Sequence, residues 1–227
     1  MALLERFMLT VHHLNNSRSQ RVLWLLEELG LPYEIKYYQR DAKTMLAPPE
    51  LSRVHPLGKS PVVNDDGVVI AETGAIVEYL VDKAGGRLRP PAGTPSSLRW
   101  TYWLHYAEGS AMPPLLMRLI FSALPGRSPA LLRPLARGIS AKVIDTYIDP
   151  QIKTHFDYIE SELRKSAWFA GEDFSAADVM MSFPLEAAGF RANVYAGRPK
   201  VKAFVERIHA RPAYKRALEK GGPYAYA

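Results

Sequence analysis

Between Leu9 and Leu29 the hydrophobic period changes once, and that change dictates a strand followed by a helix. Leu9, Val11 and His13 alternate with Thr10, His12 and Leu14, as the two faces of a short strand do. From Val22 onward, Leu23, Leu25, Leu26 and Leu29 recur at helical spacing, with Glu27 and Glu28 on the opposite side. The join, Asn15-Asn16-Ser17-Arg18-Ser19, is polar. A strand entering a helix through so short a loop leaves the first helical N–H groups unpaired at the strand's carboxyl end, a geometry that binds anions. Ser17-Arg18-Ser19-Gln20 also spells a capping box, in which the Ser17 hydroxyl accepts from the N3 amide and Gln20 reaches back. On this stretch alone the cap is the leading use of Ser17, ahead of a surface loop and of a catalytic hydroxyl.

Gly30-Leu31-Pro32 stops the helix, and Tyr33 to Tyr38 reads as a second strand. The opening β-α-β order implies a right-handed parallel crossover. After an irregular stretch from Arg40 to Val54, in which Pro48-Pro49 starts about one helical turn, His55 to Ser60 forms a tight turn. Pro61 then leads into a strand at Val62-Val63, a position a sheet tolerates. Asp65-Asp66-Gly67 is a hairpin turn to Val68-Val69-Ile70, so this pair is antiparallel. Glu72-Thr73-Gly74 precedes a helix that offers Ile76, Val77, Tyr79, Leu80 and Val81 to the sheet, with Thr73 suited to cap it. The order β-α-β, β-β-α within residues 1–84 is that of an α/β thioredoxin-like domain.

Gly85-Gly86 and the proline-rich run to Pro95 form a linker over 85–95, and residues 96–227 read as an all-α second domain. Ser96 to Leu124 makes one long helix or two, because Pro113-Pro114 must kink or interrupt it. Ser128 to Ser166 is helical with breaks or starts at Pro134 and Pro150. Ser175-Ala176-Ala177-Asp178 is a second capping box, assigned to folding. Helices are expected from about Pro199 to Arg211 and again after Pro212.

Absences narrow the chemistry. The 227 residues contain no cysteine, which removes disulfides, thiolate zinc sites and a thiol nucleophile of the protein's own. Any thiol chemistry must use a thiol carried by the ligand. The six histidines show no metal-binding spacing, so no metal is expected. No apolar run approaches the ~18 residues of a membrane span. Glu5 and Arg6 interrupt the start, so a secretion signal is not expected and a cytoplasmic location is. The net charge of +6 is uneven: residues 1–84 carry nine Lys/Arg against eleven Asp/Glu, and 85–227 carry twenty against twelve. Arg198 to Lys220 holds eight basic residues and two acidic ones, yet it has helical spacing and no nucleic-acid-binding motif. A solvated helix face is the expectation there, with no nucleic acid as partner.

Taken in order, HHLNNSRSQRVLWLLEELGLPYE, HPLGKSPV, the AET before a helix, YAEGS followed by MPPL, and FSAADVMMSFPL resemble the cytosolic glutathione transferases, in particular their fungal and bacterial branch. The resemblance covers nearly the whole chain. It implies a glutathione-binding first domain and a helical second domain that contributes to an electrophile site between the two. It implies that Ser17 holds the hydroxyl that donates to glutathione's thiolate in serine-type members, with Asn16 as competitor and Arg18 beside them. Ser60-Pro61 matches the residue and cis-proline that pair with the cysteinyl part of glutathione. Lys59 matches a partner for its glycine carboxylate, and Glu72-Thr73 the pair that receives its γ-glutamyl end. Tyr102, Tyr106 and Met112, with Met117, are candidates for the electrophile site. A homodimer is implied as well.

A magnitude sets what Ser17 must do. A thiol with pKa near ~8.5 must fall about two units to ionise at neutral pH, roughly 2.7 kcal/mol. A helix N-terminus supplies ~0.3 to 1 and at best ~2 kcal/mol. A hydrogen bond to the charged sulfur supplies about 1.5 to 3 kcal/mol. Hydroxyl and helix end must therefore act together. The expected activity is transfer of glutathione, as co-substrate, to a small hydrophobic electrophile, with peroxide reduction as a side activity. The alternative is a protein that binds glutathione for regulation without turnover. An isomerase is disfavoured because NNSRSQ departs from the serine-type isomerases' S-S-C-S run.

Overall fold

The structure, a computed structural model, describes residues 9–226, so Glu5 and Arg6, on which the secretion-signal expectation rests, lie outside the described residues. The alternating run forms β1 (Leu9–Leu14) and the helical run forms α1 (Ser19–Leu29). The helix starts three residues before the apolar repeat, and every residue from Ser19 to Leu26 is buried. Gly30 ends it at φ 59°, left-handed, its N–H bonded to the Leu26 carbonyl. β2 (Tyr33–Tyr38) pairs in parallel with β1, Leu9 opposite Tyr33 through Leu14 opposite Tyr38. Leu51, set by a 3₁₀ turn over Pro49–Arg53, packs with Leu14 and Tyr38.

β3 (Val62–Asp65) runs antiparallel to β1, and β4 (Val68–Ala71) antiparallel to β3, in a sheet ordered β2-β1-β3-β4. The hairpin turn places Asp66 at φ 49° and Gly67 at φ 83°, the two left-handed residues that a two-residue primed turn requires. α2 (Thr73–Lys83) is held to β3 by Asp65, a buried carboxylate that accepts from the Tyr79 hydroxyl at 2.5 Å and meets Lys83 Nζ at 2.6 Å. The pairing register has one functional consequence. His12 lies opposite Val62, and Val62 opposite Ala71, so the end of β1, the start of β3 and the end of β4 share one edge of the sheet.

The helical segment is α3 (Pro95–Tyr106), α4 (Met112–Arg127), α5 (Arg133–Val143), α6 (Asp149–Lys165), α7 (Ala176–Ala192) and α8 (Pro199–His209). A π-turn over Ala107–Ala111 joins α3 to α4, and another over Ile144–Ile148 joins α5 to α6. Each ends just before prolines, Pro113-Pro114 and Pro150, which fall in the first turn of the following helix where a missing N–H does least harm. The core is aromatic: Trp103 lies 4.6 Å from Phe169 and 5.6 Å from Tyr158 between ring centroids, and Phe169 4.9 Å from Phe204. The capping box opening α7 is formed, with Asp178 accepting from the Ser175 and Phe169 amides at 2.8 Å each.

The chain divides into two compact units, residues up to Pro91 together with those from Arg207, and Ala92–Glu206. The single helical domain expected over 96–227 is therefore divided, because α9 (Pro212–Gly221) packs on α1. Glu27 and Glu28, on the polar side of the apolar repeat, are the reason. Arg216 and Lys220 meet Glu27 at 2.8 and 2.5 Å, and Arg211 meets Glu28 at 2.5 and 2.8 Å. Tyr214 sets its ring edge-on to Trp24 at 5.2 Å. In the other unit Arg198 pairs with Asp157 at 2.7 Å. The basic run is thus not a merely solvated face; four of its eight cations bind carboxylates that lie elsewhere in the sequence.

Gly221 permits a close approach of α9 to α1. A Cβ there would stand 2.4 Å from Gln20 Oε1 and 2.9 Å from Leu23 Cδ1. Among the described residues, no helix is long and apolar enough to cross a membrane.

Candidate active site

The loop between β1 and α1 is fixed by its asparagines. Asn15 donates its N–H to the Tyr38 carbonyl at 3.2 Å and accepts the Arg40 N–H on Oδ1 at 2.9 Å. Asn16 takes φ 48°, a left-handed conformation that asparagine tolerates, and its Oδ1 accepts the Ala225 N–H at 2.8 Å. These bonds tie the loop to β2 and to the segment after α9, and leave Ser17 only 4% exposed.

The capping box expected at Ser17 is not formed. Arg18 occupies the cap position without a side-chain bond. The Ser17 Oγ accepts the Ser19 N–H at 3.2 Å, while the Gln20 N–H goes to the Ser17 carbonyl at 3.3 Å and the Arg21 N–H to the Arg18 carbonyl at 3.1 Å. The Gln20 side chain has been drawn into the contact with α9, where neither amide atom is hydrogen-bonded. Three amides expected to face an anion are thereby used locally. The first of these, the Ser19 N–H at the start of α1, points at Ser17 Oγ, and a hydroxyl that accepts an amide is a better donor.

Ser17 is the end of a buried line of side chains. Its Oγ lies 2.7 Å from Ser19 Oγ, which lies 2.9 Å from His13 Nδ1. Ser19 Oγ also accepts the Leu14 N–H at 3.2 Å and has the Leu14 carbonyl at 3.3 Å. The same Leu14 N–H reaches Ser60 Oγ at 3.2 Å, and Ser60 donates to the His12 carbonyl at 2.8 Å. The loop after β1 and the residue before Pro61 are thus joined through one backbone amide. Burial lowers the His13 pKa and the Gly221 carbonyl opposes that by favouring a proton on the ring. Burial, then Lys36, lowers that of His12, whose Nδ1 lies 2.8 Å from the Tyr38 hydroxyl.

The Ser60–Pro61 bond is cis. Lys59 is exposed on the preceding turn, where Gly58 is required at φ 57° with a would-be Cβ 2.5 Å from Ser52 Oγ. Glu72 is exposed at φ 67° and occupies the cap position of α2; the cap expected of Thr73 is not made, since Thr73 is the buried first residue of that helix. The sheet register brings Ser17, Ser60, Pro61, Glu72 and Thr73 to one edge. In the helical unit, Tyr106 and Met112 are buried, with the Tyr106 hydroxyl 2.6 Å from His155 Nδ1. Tyr102 keeps 45% of its surface exposed while packing on Trp103 and Tyr106, and Met117 is half-buried. Sequence reasoning did not single out Ser19 or His13, which the buried line joins to Ser17. Among the described residues no group of three or more His, Asp or Glu could hold a metal ion.

The profile of the glutathione S-transferase N-terminal domain matches residues 8–82, and that of the C-terminal domain residues 136–212. Glutathione S-transferase 3 of Schizosaccharomyces pombe is 37% identical over 217 residues, 94% of this chain and 88% of that protein. The chain belongs to the glutathione S-transferase family. Glutathione S-transferase 1 of Saccharomyces cerevisiae is 34% identical over 92% of this chain and 94% of its own. Among solved structures, a glutathione S-transferase from Actinobacillus pleuropneumoniae superposes with a TM-score of 0.80 at 34% identity, over 96% of this chain and 95% of that one. A family member from Pseudomonas fluorescens, solved with two glutathione bound, gives 0.74 at 26% identity over 95% and 94%. The thioredoxin-like and helical domains read from the sequence are those of this family, and the transferase activity comes with it.

Proposed function

We propose that this transferase binds glutathione at the shared sheet edge and that Ser17 donates its hydroxyl to the sulfur, stabilising the thiolate that attacks an electrophilic carbon or a peroxide oxygen. The observation that carries this is the Ser17 hydroxyl itself: it is 4% exposed in the β1–α1 loop, and its Oγ accepts the Ser19 N–H at 3.2 Å, which strengthens it as a donor. Ser60 and Pro61 would pair with the cysteinyl backbone, Glu72 and Thr73 with the γ-glutamyl end, and Lys59 with the glycine carboxylate. Arg18 adds positive charge beside the anion. Tyr102 would meet the small hydrophobic electrophile, with Tyr106 and Met112 behind it. Family membership supports a cytoplasmic homodimer without nucleic-acid partner and glutathione as the sole cofactor, with no metal.

The test is the ultraviolet thiolate band of bound glutathione followed across pH. Ser17→Ala should raise the pKa of the bound thiol by about one unit or more, the share assigned to one charged hydrogen bond. An unchanged pKa would hand the role to Asn16 or to backbone amides.

A further inference from the structure

The proposed role of Ser17 uses only the first member of a line that continues through Ser19 to His13. One proton on each hydroxyl restricts what that line can do. With His13 neutral and Nδ1 bare, the Ser19 O–H satisfies Nδ1 at 2.9 Å, and the Ser17 O–H then points at Ser19, 2.7 Å away. For Ser17 to donate to a sulfur instead, Ser19 must donate to Ser17, and His13 Nδ1 must donate to Ser19. The Gly221 carbonyl holds a ring proton on the other nitrogen, so Nδ1 stays bare in the neutral ring and the line reverses only if His13 gains a second proton.

Building on the role given to Ser17, we propose that Ser17, Ser19 and His13 form a proton relay that carries the glutathione thiol proton to His13. The S–H bond breaks and its proton passes to Ser17 Oγ. The former Ser17 proton moves to Ser19 Oγ, and the former Ser19 proton to His13 Nδ1. Sulfur keeps the electron pair as thiolate, both hydroxyls stay neutral with their directions reversed, and the imidazole becomes imidazolium. No proton leaves the protein in this step. Ser19 and His13 do not touch glutathione; they act through Ser17.

The surroundings of the ring suit a charge that comes and goes. Strand β2 presents the Tyr37 phenol, its ring edge-on at 6.0 Å, α1 presents the Ser19 hydroxyl, and α9 presents the Gly221 carbonyl. That carbonyl accepts a ring proton in either charge state. Without a thiolate, burial keeps His13 neutral. With one, opposite charges roughly 7 to 8 Å apart at an effective dielectric near ~20 shift each other's titration by about 1.5 units. Consumption of the thiolate removes that attraction, and the proton departs.

The test is ¹⁵N NMR of the His13 ring in the intact protein, alone, with glutathione, and with S-methylglutathione, which has no thiol proton. The ring should be neutral with Nδ1 unprotonated alone and with S-methylglutathione. It should be imidazolium with glutathione, in step with the thiolate band. In Ser19→Ala the band should move up by about one pH unit, and its appearance should release about one proton per site, read from the dependence of binding heat on buffer ionisation. Ser19→Thr should restore both. A thiolate band with His13 neutral throughout, or an unmoved band in Ser19→Ala, overturns the relay and leaves the role of Ser17 standing. No thiolate band in the unaltered protein, or one indifferent to Ser17→Ala, overturns both. The wild-type spectra decide the matter even if Ser19→Ala does not fold.

Discussion

Replacing Gly221 by alanine should destabilise the protein, although helix propensity predicts the reverse. Gly221 is the last residue of α9 with ordinary helical backbone, and alanine in a helix is favoured over glycine by at most about 1 kcal/mol. The new methyl would stand 2.4 Å from Gln20 Oε1 and 2.9 Å from Leu23 Cδ1. Both contacts fall about 0.6 Å or more short of the comfortable separation of ~3.5 to 4.0 Å for carbon and slightly less for oxygen. Gln20 and Leu23 are buried at 3% and 0% exposure, so neither can swing into solvent. Overpacking of this kind costs about 1 to 3 kcal/mol. Net of the full propensity gain the expected loss is up to about 2 kcal/mol, a fall of as much as roughly 4 to 8 °C in melting temperature for a chain of this size. Thermal unfolding of Gly221→Ala beside the parent protein measures it. The double variant with Gln20→Ala, which removes the nearer obstacle, should lose less than the sum of the two single changes. A melting temperature raised in Gly221→Ala, or a double variant that loses the full sum of the two single changes, would refute the tight α1–α9 contact.

Glu72 sits at φ 67° and ψ 123°, a region that favours glycine. Glu72→Gly should therefore stabilise the fold by about 1 kcal/mol while raising the KM for glutathione at least about tenfold, the loss of one charged contact; unfolding and steady-state kinetics read the two effects separately. Asp178→Ala leaves the Phe169 and Ser175 amides without their acceptor and should cost about 2 to 5 kcal/mol, against about 1 for Ser175→Ala, by chemical denaturation. Burial raises the Glu27 pKa, but the hydrogen bonds from Lys220, Arg216 and Tyr33 outweigh it and hold the carboxyl below its ordinary 4.5. The stability this gives is complete above pH 4.5 and is lost as pH falls through the lower folded value. Between pH 6 and 3, then, the melting temperature of the parent protein should fall more steeply than that of Glu27→Gln.

The elements were readable wherever one short window carried the cause. The alternation at Leu9 and Tyr33, the stop at Gly30 and the turn at Asp66-Gly67 each depend on neighbours in sequence. Two capping boxes with the same spacing came out differently. Ser175 and Asp178 kept their side chains for each other, whereas Gln20 was drawn beneath Gly221, two hundred residues away in the chain. The same distance hid the ion pairs of Arg211, Arg216 and Lys220, whose carboxylates lie on α1, and with them the return of α9 to the first unit. At the site, Ser17, Ser60 and Glu72 stood out through family phrases. Ser19 and His13 did not, because a strand histidine and a second loop serine have no signal until the β1–α1 turn brings them within 2.9 Å.

The docking of α9 also orders events during synthesis. The sheet, α1 and the loop bearing Ser17 are made within the first third of the chain, but the Ala225 amide that holds Asn16 and the Gly221 carbonyl beside His13 come more than a hundred residues after α2 is finished. A ribosome carrying a half-made chain therefore holds the residues of the sheet and α1 without the contacts of α9, and the loop bearing Ser17 gains its tie to Ala225 only when the segment around Gly221 emerges and settles on α1.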